Sequence, residues 1–322
     1  MAPASLSVVI PAFNEARGIE RTLAQIAEYA AQSGGVSELI VVDDGSTDGT
    51  ADVVRAFQPG PLRIQLLVVE VNRGKGHAVC RGMLAATGDA VLMCDADLST
   101  PIEELEKLRS WLERGYDVVI ASRDLPESRL DPPQPRLRRW LAWLFRAVRR
   151  RLLVPELRDT QCGFKLFTQA AARAVFVQQT LDGWLFDCEV LAIAERLGCR
   201  IKEVGVTWRD RPHSRVKPLR EAVFALPTLL AIRRRLATLF GDLALAHKSC
   251  FANEDCLARS EICGCFYCLA IFPPHKVATY VPERDGRRTG LCPRCGIDSV
   301  LGSASGFPIT RAFLRRMRRA YF

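Results

Sequence analysis

The stretch that decides the fold of this chain is AVLMCDADLST at residues 90–100. Its apolar part, 90–94, is followed by two acids one residue apart, Asp95 and Asp97, and then by Pro101 after a serine and a threonine. This order predicts a buried strand that ends in a polar loop before a helix. Loops at the carboxyl ends of strands bind ligands in an open α/β sheet, and carboxylates there suit Mg²⁺ or Mn²⁺ on a phosphate-bearing donor. The alternative is a solvated turn that caps the helix.

Strands and helices alternate around this stretch. Apolar runs predict strands at 6–10, 39–42, 64–69, 90–94 and 118–121. Helices are expected between them at 16–31, 50–57, 76–86 and 102–114. Strands that alternate with helices of this length predict an α/β fold, with a mostly parallel sheet flanked by helices.

The composition indicates a globular protein with two parts. The 322 residues are 48% apolar and 25% charged, and the formal net charge of +9 favours an anionic partner, which could be a nucleotide, a nucleic acid or a lipid surface. Seven of the 12 cysteines lie beyond Lys248, where glycine and proline also become frequent. The sequence therefore predicts a first domain at 1–240, a linker at 241–249 and a cysteine-rich module at 250–322.

The sequence predicts neither a signal peptide nor a membrane span. Residues 1–7 contain no basic region and no long apolar segment. The nearest approach to a span, 222–232, is shorter than the required length of about 18–20 residues and contains Pro227. We therefore expect a cytoplasmic protein whose cysteines are thiols or metal ligands rather than disulfides.

The segment 137–153 is expected to form an amphipathic helix. Apolar residues at spacings of three and four form one stripe, flanked by Trp140 and Trp143, and arginines occupy much of the remainder. Such a helix can lie peripherally on the cytoplasmic face of a membrane, with its arginines against anionic lipid. The arginines at 233–235 could add to this peripheral attachment. The alternative is a packed helix with an ordinary solvated face.

Polar motifs adjoin the predicted strands in a recognisable order. They are PAFNE at 11–15, VDDGSTD at 42–48, NRGKGHAVCRGM at 72–83, DADLST at 95–100, SR at 122–123 and DTQCGFKLF at 159–167. In a doubly wound sheet, motifs placed where strands meet loops share one rim. Together they resemble the family 2 glycosyltransferases of the GT-A fold, and more narrowly the branch of dolichyl-phosphate glucosyltransferases and polyprenyl-phosphate sugar synthases. The resemblance extends over residues 5–240.

The resemblance implies roles around a nucleotide-sugar donor, with UDP-glucose expected. The residues that would line the base and ribose are Pro11, Phe13, Glu15 and Asp43, with Asp44 close enough to share that task. Asp95 and Asp97 would be the family's acids that bind Mg²⁺ or Mn²⁺, with Asp97 the more direct ligand. Asp95 would contact the ribose or the diphosphate, and Ala96 between them belongs to the same donor site. Arg123 would meet the diphosphate or the sugar.

Two more segments supply cations to the expected donor site. Lys75 stands between Gly74 and Gly76, which permit close approach of the backbone to a phosphate. Residues 206–217 resemble the family's flexible loop, in which Arg215 would close over the diphosphate with Arg211 or Lys217 assisting. The glycine that usually precedes the serine of this loop is His213 here.

The expected chemistry is direct attack of an acceptor on the anomeric carbon, which inverts its configuration. A lipid phosphate acceptor is already ionised and needs no strong base, whereas a hydroxyl acceptor would need one. Asp187 and Asp159 are the candidates for such a base. The structural alternative for both is an acid that pairs with an arginine or caps a helix.

The cysteine-rich module contains two C-x-x-C pairs. Cys265, Cys268, Cys292 and Cys295 predict a structural Zn²⁺ site, and the spare ligands are Cys263, Cys250, Cys256 and His275. A module of this size rarely holds together on a hydrophobic core alone, so a structural metal is physically reasonable. The module also resembles small zinc-ribbon or treble-clef-like proteins, and a protein partner for it is a further expectation.

These observations predict an inverting, metal-dependent glycosyltransferase that moves glucose to a polyprenyl or dolichyl phosphate. One alternative is a glycosyltransferase with a non-lipid acceptor. The other is a zinc protein that binds nucleotide or nucleic acid without turnover, supported by the net charge and by the arginines of the segment 310–320. Nucleic acid is the less expected partner, because mere binding would not need the whole series of acids and cations.

Overall fold

The computed structural model of the protein describes residues 5–131, 145–209, 218–283 and 285–322. Arg211, His213, Arg215 and Lys217, which were expected in the flexible loop, lie outside the described residues, as does the first half of the segment 137–153. The chain divides into two compact units. The first comprises residues 1–195 and 199–232, and the second comprises residues 196–198 and 233–322.

The first unit is an α/β structure. Its strands are β1 Leu6–Ala12, β2 Val36–Asp44, β3 Arg63–Val69, β4 Ala90–Cys94, β5 Val118–Ser122, β6 Arg129–Asp131, β7 Phe164–Thr168, β8 Ile201–Gly205 and β9 Thr207–Arg209. Its helices are α1 Ile19–Ser33, α2 Thr50–Ala56, α3 Lys75–Ala85, α4 Leu105–Leu112, α5 at 145–152, α6 Gln169–Phe176 and α7 Phe186–Arg196. The long helix α8, Pro218–Lys248, runs past the division between the units.

A seven-stranded sheet in the order β3-β2-β1-β4-β7-β5-β8 forms the centre of this unit. The pairs among β3, β2, β1 and β4 are parallel, and so is the pair of β5 with β8. Only β7 runs antiparallel, against β4 on one side and β5 on the other. The expected mostly parallel sheet with flanking helices is confirmed, and β4 has the predicted bounds.

Apolar periodicity explains how the helices pack on the sheet. In α1, the buried residues Ile19, Leu23 and Ile26 recur at helical spacing and join the core formed by the sheet. Helix α3 approaches the sheet at Gly82, where an added Cβ would lie 2.3 Å from a methyl carbon of Val9. Strands β1 and β4 are buried along their whole length, as is typical of parallel strands covered on both faces.

The antiparallel strand β7 was not anticipated. Its sequence, FKLFT, has a lysine in second position, and Lys165 is fully buried in the structure. The partner of this lysine is Asp187, which lies in α7 and not in the strand's neighbourhood along the chain. The local pattern of apolar residues could not predict strand β7, because it does not show that Asp187 would neutralise the buried charge of Lys165.

The second unit contains short elements around the cysteines. They are α9 Glu254–Ala258, β10 Cys263–Cys265, β11 Ile271–Phe272, β12 Tyr280–Pro282, β13 Arg288–Gly290, β14 Val300–Gly302 and α10 Arg311–Tyr321. Strands β11, β10 and β14 form one small sheet, and β12 pairs with β13. The residues expected to form a linker, 241–249, belong to α8 as far as Lys248. Among the residues that the structure describes, no helix has the length and apolar character needed to cross a membrane.

Candidate active site

The loops that follow β1 and β2 are joined into one surface. Asn14, in a left-handed conformation with φ 54°, donates its backbone N–H to the Ser46 hydroxyl at 2.8 Å. Its side-chain oxygen accepts from the backbone N–H of Thr47 at 2.7 Å. The backbone N–H of Glu15 donates to the Thr50 hydroxyl at 2.8 Å. The motifs at 11–15 and 42–48 therefore share a rim, with Pro11 buried and Phe13 exposed on it.

Asp43 and Asp44 are both buried at the end of β2, and their partners differ. The Asp43 carboxylate accepts from the backbone N–H of Ser46 at 3.0 Å. The Asp44 carboxylate accepts from the Asn72 amide and from the backbone N–H groups of Arg73 and Gly74, the last at 2.7 Å. Asp44 thus holds the 72–74 loop in place, a task that differs from the expected contact with base or ribose.

Lys75 lies at the centre of the cationic part of the rim. Its Nζ is 2.5 Å from Oδ1 of Asp95, and it stands 5.1 Å from the ring centre of Trp184, an exposed side chain. Burial alone would lower the pKa of Lys75, but the carboxylates of Asp95, Asp187 and Asp97 outweigh it and raise that pKa. The lysine is therefore held as a cation beside the acids of the DADLST motif.

Gly163 of the DTQCGFKLF motif leaves room for Asp95. An added Cβ at Gly163 would lie 2.0 Å from the nearer carboxylate oxygen of Asp95, so no larger residue fits while that carboxylate keeps its position. The Gly163 carbonyl also accepts from the backbone N–H of Asp95 at 3.0 Å. Gly163 was not among the expected site residues, although its motif DTQCGFKLF was one of those that indicated the family.

Asp97 is open to solvent next to Asp95. Desolvation by the surrounding protein raises the pKa of Asp97, and the negative charge of Asp95 raises it further. The turn between them and the following helix is strained, since Leu98 is buried in a left-handed conformation with φ 46°. One oxygen of Asp95 contacts Lys75, and one oxygen of Asp97 accepts from the backbone N–H of Ser99 at 2.9 Å. Two neighbouring carboxylates are oxygen donors of the kind that suits a hard divalent cation.

Arg123 and Asp159 form a bidentate ion pair. The guanidinium donates from Nε to Oδ2 at 2.7 Å and from Nη2 to Oδ1 at 3.0 Å, and the backbone N–H of Arg123 donates to Oδ2 at 3.0 Å. Burial would raise the pKa of Asp159, but Arg123 and these hydrogen bonds hold it well below its usual range. Asp159 therefore pairs with an arginine, as its structural alternative expects, and it fixes the position of the Arg123 guanidinium.

Asp187 is held in a buried ion pair with Lys165. Nζ of Lys165 is 2.6 Å from Oδ1 of Asp187, and it also donates to the carbonyl of Cys162 at 2.5 Å. Burial raises the pKa of Asp187, and the charges of Lys165 and Lys75 oppose that rise. Lys165 was not among the expected site residues; the only signal in the sequence is a lysine within an apolar run.

Comparison with known proteins agrees with this arrangement. The family model described as "Glycosyl transferase family 2" matches residues 7–176. This range contains β1 from its second residue, β2 to β7, and the acids Asp43, Asp44, Asp95, Asp97 and Asp159. The chain belongs to glycosyl transferase family 2. It is accordingly a glycosyltransferase, and its sheet has the GT-A form.

Several relatives of this chain have the name dolichyl-phosphate beta-glucosyltransferase. A dolichyl-phosphate beta-glucosyltransferase of Dictyostelium discoideum is 34% identical over 71% of this chain and 74% of its own length. A protein of the same name from Drosophila melanogaster is 36% identical over 66% of this chain and 69% of its own. Among solved structures, glucosyl-3-phosphoglycerate synthase of Mycobacterium tuberculosis with Mn²⁺, UDP and glucosyl-3-phosphoglycerate has a TM-score of 0.55 and 24% identity, covering 72% of this chain and 80% of that one.

The described half of the segment 137–153 packs inside the family 2 domain. Nη1 of Arg146 is 2.6 Å from the Asp124 carboxylate. Arg149 is fully buried and donates to the carbonyls of Val154, Leu157 and Arg158. These two arginines therefore bind protein groups instead of forming a solvated or lipid-facing surface. The predicted membrane contact of this helix stays a prediction for its remaining residues.

Outside the family 2 domain, the structure brings the four expected cysteines of the second unit together. The sulfurs of Cys265, Cys268, Cys292 and Cys295 all lie within 4.8 Å of one another. The sulfur pair Cys265–Cys295 is 3.6 Å apart and the pair Cys268–Cys292 is 3.7 Å apart. A tetrahedral site with Zn–S bonds of about 2.3 Å has sulfurs about 3.8 Å apart, so the cluster has the right dimensions.

Each C-x-x-C segment turns a backbone N–H group toward the sulfur of its first cysteine. The backbone N–H of Cys268 points to the Cys265 sulfur at 3.4 Å, and that of Arg294 points to the Cys292 sulfur at 3.4 Å. Each segment turns through a left-handed residue four positions after its first cysteine, Leu269 with φ 60° and Gly296 with φ 75°. Backbone N–H groups turned toward thiolates are what a thiolate metal site requires.

Proposed function

We propose that this protein transfers glucose from UDP-glucose to a dolichyl or other polyprenyl phosphate, with inversion at the anomeric carbon. The observation that carries the proposal is the match to proteins named dolichyl-phosphate beta-glucosyltransferase at 32–36% identity. The geometry of the rim supports it, because acids and cations stand together where the sheet binds ligands.

The donor is placed along the ends of β1, β2 and β4. Pro11, Phe13, Glu15 and Asp43 are assigned to the base and ribose, as the family resemblance implies. Asp44 acts indirectly, because its oxygens are used to hold the loop that presents Lys75. Lys75 and Arg123 are the cations that meet the diphosphate, and Arg215, outside the described residues, is assigned to close over it.

Asp97 would hold the divalent cation, Mg²⁺ or Mn²⁺, with Asp95 and Ala96 beside it at the ribose and diphosphate. The bound cation would neutralise charge on the departing diphosphate. The chain's own groups prepare that site: Lys75 holds one oxygen of Asp95, and Gly163 leaves space for the other. Burial of the Leu98 side chain holds the acid-bearing turn in this strained conformation.

The partners of Asp159 and Asp187 favour an acceptor that brings its own negative charge. Both are held by cations, Asp159 by Arg123 and Asp187 by Lys165. A hydroxyl acceptor would need a carboxylate free to take a proton, whereas a phosphate is already a nucleophile near neutral pH. In this proposal Asp159 and Asp187 position cations rather than remove a proton.

The second unit would hold a structural Zn²⁺ with Cys265, Cys268, Cys292 and Cys295. Four thiolates select zinc over magnesium, so the two metal sites do not compete for the same ion. Since the unit has only a small core around these cysteines, the bound metal would stabilise its fold. A protein partner of this unit remains a prediction.

The experiment is an acceptor screen with purified full chain, Mn²⁺ and UDP-glucose labelled in the sugar. We expect label in lipid with dolichyl phosphate, and none with dolichol, which differs only by lacking the phosphate. The soluble acceptor 3-phosphoglycerate should receive none, and GDP-mannose should be a poor donor. Label on 3-phosphoglycerate but not on dolichyl phosphate would establish the non-lipid alternative.

A further inference from the structure

An aromatic surface is built around the first C-x-x-C segment in the second unit. The His247 ring stacks on Tyr321 at 3.9 Å, the rings of Phe266 and Phe322 are 5.7 Å apart, and Tyr267 meets Phe322 edge to face at 4.8 Å. Three of these residues remain open to solvent, with exposed fractions of 39% for Tyr267, 36% for Tyr321 and 61% for Phe322. Exposed aromatic side chains grouped in one place are candidates for an interaction site.

The helix α10 gives this aromatic surface a cationic border. It has five arginines and no acidic residue: Arg311, Arg315, Arg316, Arg318 and Arg319, all exposed. Phe313, Leu314 and Met317 are buried, so the helix is anchored by its apolar side and presents the arginines outward. The guanidinium of Arg318 stands 6.0 Å from the ring centre of Tyr267, which makes the two surfaces continuous.

The packing of the rings distinguishes between two anionic partners. Single-stranded nucleic acid binds aromatic side chains through ring faces that are open to successive bases. Here one face of each stacked ring is used within the protein, since Tyr321 is stacked on His247, and an edge-to-face contact joins Tyr267 to Phe322. Such a cluster can enter an apolar medium as one body, with tyrosine hydroxyls and arginines left at the polar boundary.

We propose that the surface formed by Tyr267, Tyr321, Phe322 and the arginines of α10 binds the interface of an anionic phospholipid membrane. The rings enter the region below the headgroups, and the arginines lie against lipid phosphates and carboxylates. This places the membrane contact on the second unit, and it does not depend on which donor or acceptor the family 2 domain uses.

The test is co-flotation of the full chain with phosphatidylcholine vesicles that contain one third phosphatidylserine. Replacing three arginines together, Arg315→Glu, Arg318→Glu and Arg319→Glu, should lower the partition coefficient at least about a hundredfold. The matched control makes the same change in net charge on exposed helical arginines of the first unit, Arg21→Glu, Arg81→Glu and Arg173→Glu. That control should stay within about threefold of the parent protein.

A second variant tests the aromatic part without changing the charge. Tyr267→Ser with Phe322→Ser should lower the partition coefficient about tenfold or more, because less apolar surface is buried. Circular dichroism of each variant checks that the fold is kept. The proposal is overturned if both arginine variants float alike, if the aromatic variant floats like the parent, or if a single-stranded RNA oligonucleotide displaces the protein from the vesicles at the same salt concentration.

Discussion

The acids of the rim differ in what their oxygens contact, and this decides their roles. Asp44, Asp159 and Asp187 are buried and are bound by backbone N–H groups or by cations, while Asp97 is exposed and one of its oxygens accepts from the backbone N–H of Ser99 at 2.9 Å. Local sequence identified all of these acids but could not separate the two kinds. The cations concerned lie far along the chain, as in the pair of Arg123 with Asp159, and only the folded sheet brings them together.

The Arg123–Asp159 pair should contribute to stability as well as to function. We expect Asp159→Asn to lower the free energy of unfolding by about 3 kcal/mol at pH 7, because it leaves the guanidinium without its carboxylate. The matched change Asp52→Asn, in the exposed pair with Arg55, should cost less than about 1 kcal/mol. Urea unfolding of the three proteins measures both.

The same pair predicts a pH dependence with a definite sign. The pKa of Asp159 is lowered in the folded protein. Its contribution to the free energy of unfolding is therefore fully present above the pKa of the unfolded state, which is about 4, and it is lost as the pH falls through the lower pKa of the folded state. The stabilities of the parent and of Asp159→Asn should therefore converge in acid. A difference that stays constant down to pH 2 would show that the carboxylate charge is not the cause.

Gly163 offers a test of how closely Asp95 must be placed. Gly163→Ala puts a methyl group where the Asp95 carboxylate lies, so Asp95 must shift away from Lys75. We expect kcat/KM for UDP-glucose to fall at least about tenfold. Gly241→Ala, where an added Cβ meets nothing within 4 Å, should leave kcat/KM unchanged. Equal kinetics for the two variants would contradict the assignment of Asp95.

At the scale of elements, the parallel strands were predictable and the reversed strand was not. Strand β4 and the alternation of strands and helices around it follow from short apolar runs. Such runs are buried without needing a particular partner from elsewhere in the chain. Strand β7 has a buried lysine, and its place between β4 and β5 depends on Asp187 from α7. The four-cysteine cluster was predictable because the two-residue spacing within each C-x-x-C pair is the spacing that zinc ligands require.

If the two C-x-x-C segments bind zinc, loss of one ligand should affect only the second unit. Cys295→Ser should lower the bound zinc well below one equivalent and should expose the small core around Leu257 and Val300 to proteolysis. Cys256→Ser changes a cysteine outside the cluster and should retain one equivalent. Metal analysis of both variants decides this, and equal zinc contents would remove Cys295 from the ligand set.

At the scale of the whole molecule, two units carry two separate kinds of chemistry. The family 2 match ends at residue 176, and the four-cysteine cluster lies wholly in the second unit. Cations that could meet an anion stand in both units, Lys75 and Arg123 in the first and the exposed arginines of α10 in the second. The sequence indicated both anionic sites but could not show that the aromatic rings of the second unit pack together, since they come from three separate segments.

The most direct measurement of the central claim is the rate of glucose transfer from UDP-glucose to dolichyl phosphate by Asp97→Ala, beside the parent and the matched exposed variant Asp52→Ala. Because Asp97 is assigned to the divalent cation, its loss should lower the rate at least about a hundredfold while the zinc content stays unchanged. Asp52→Ala should transfer glucose at the parent rate. Transfer by Asp97→Ala at the rate of Asp52→Ala would contradict the account.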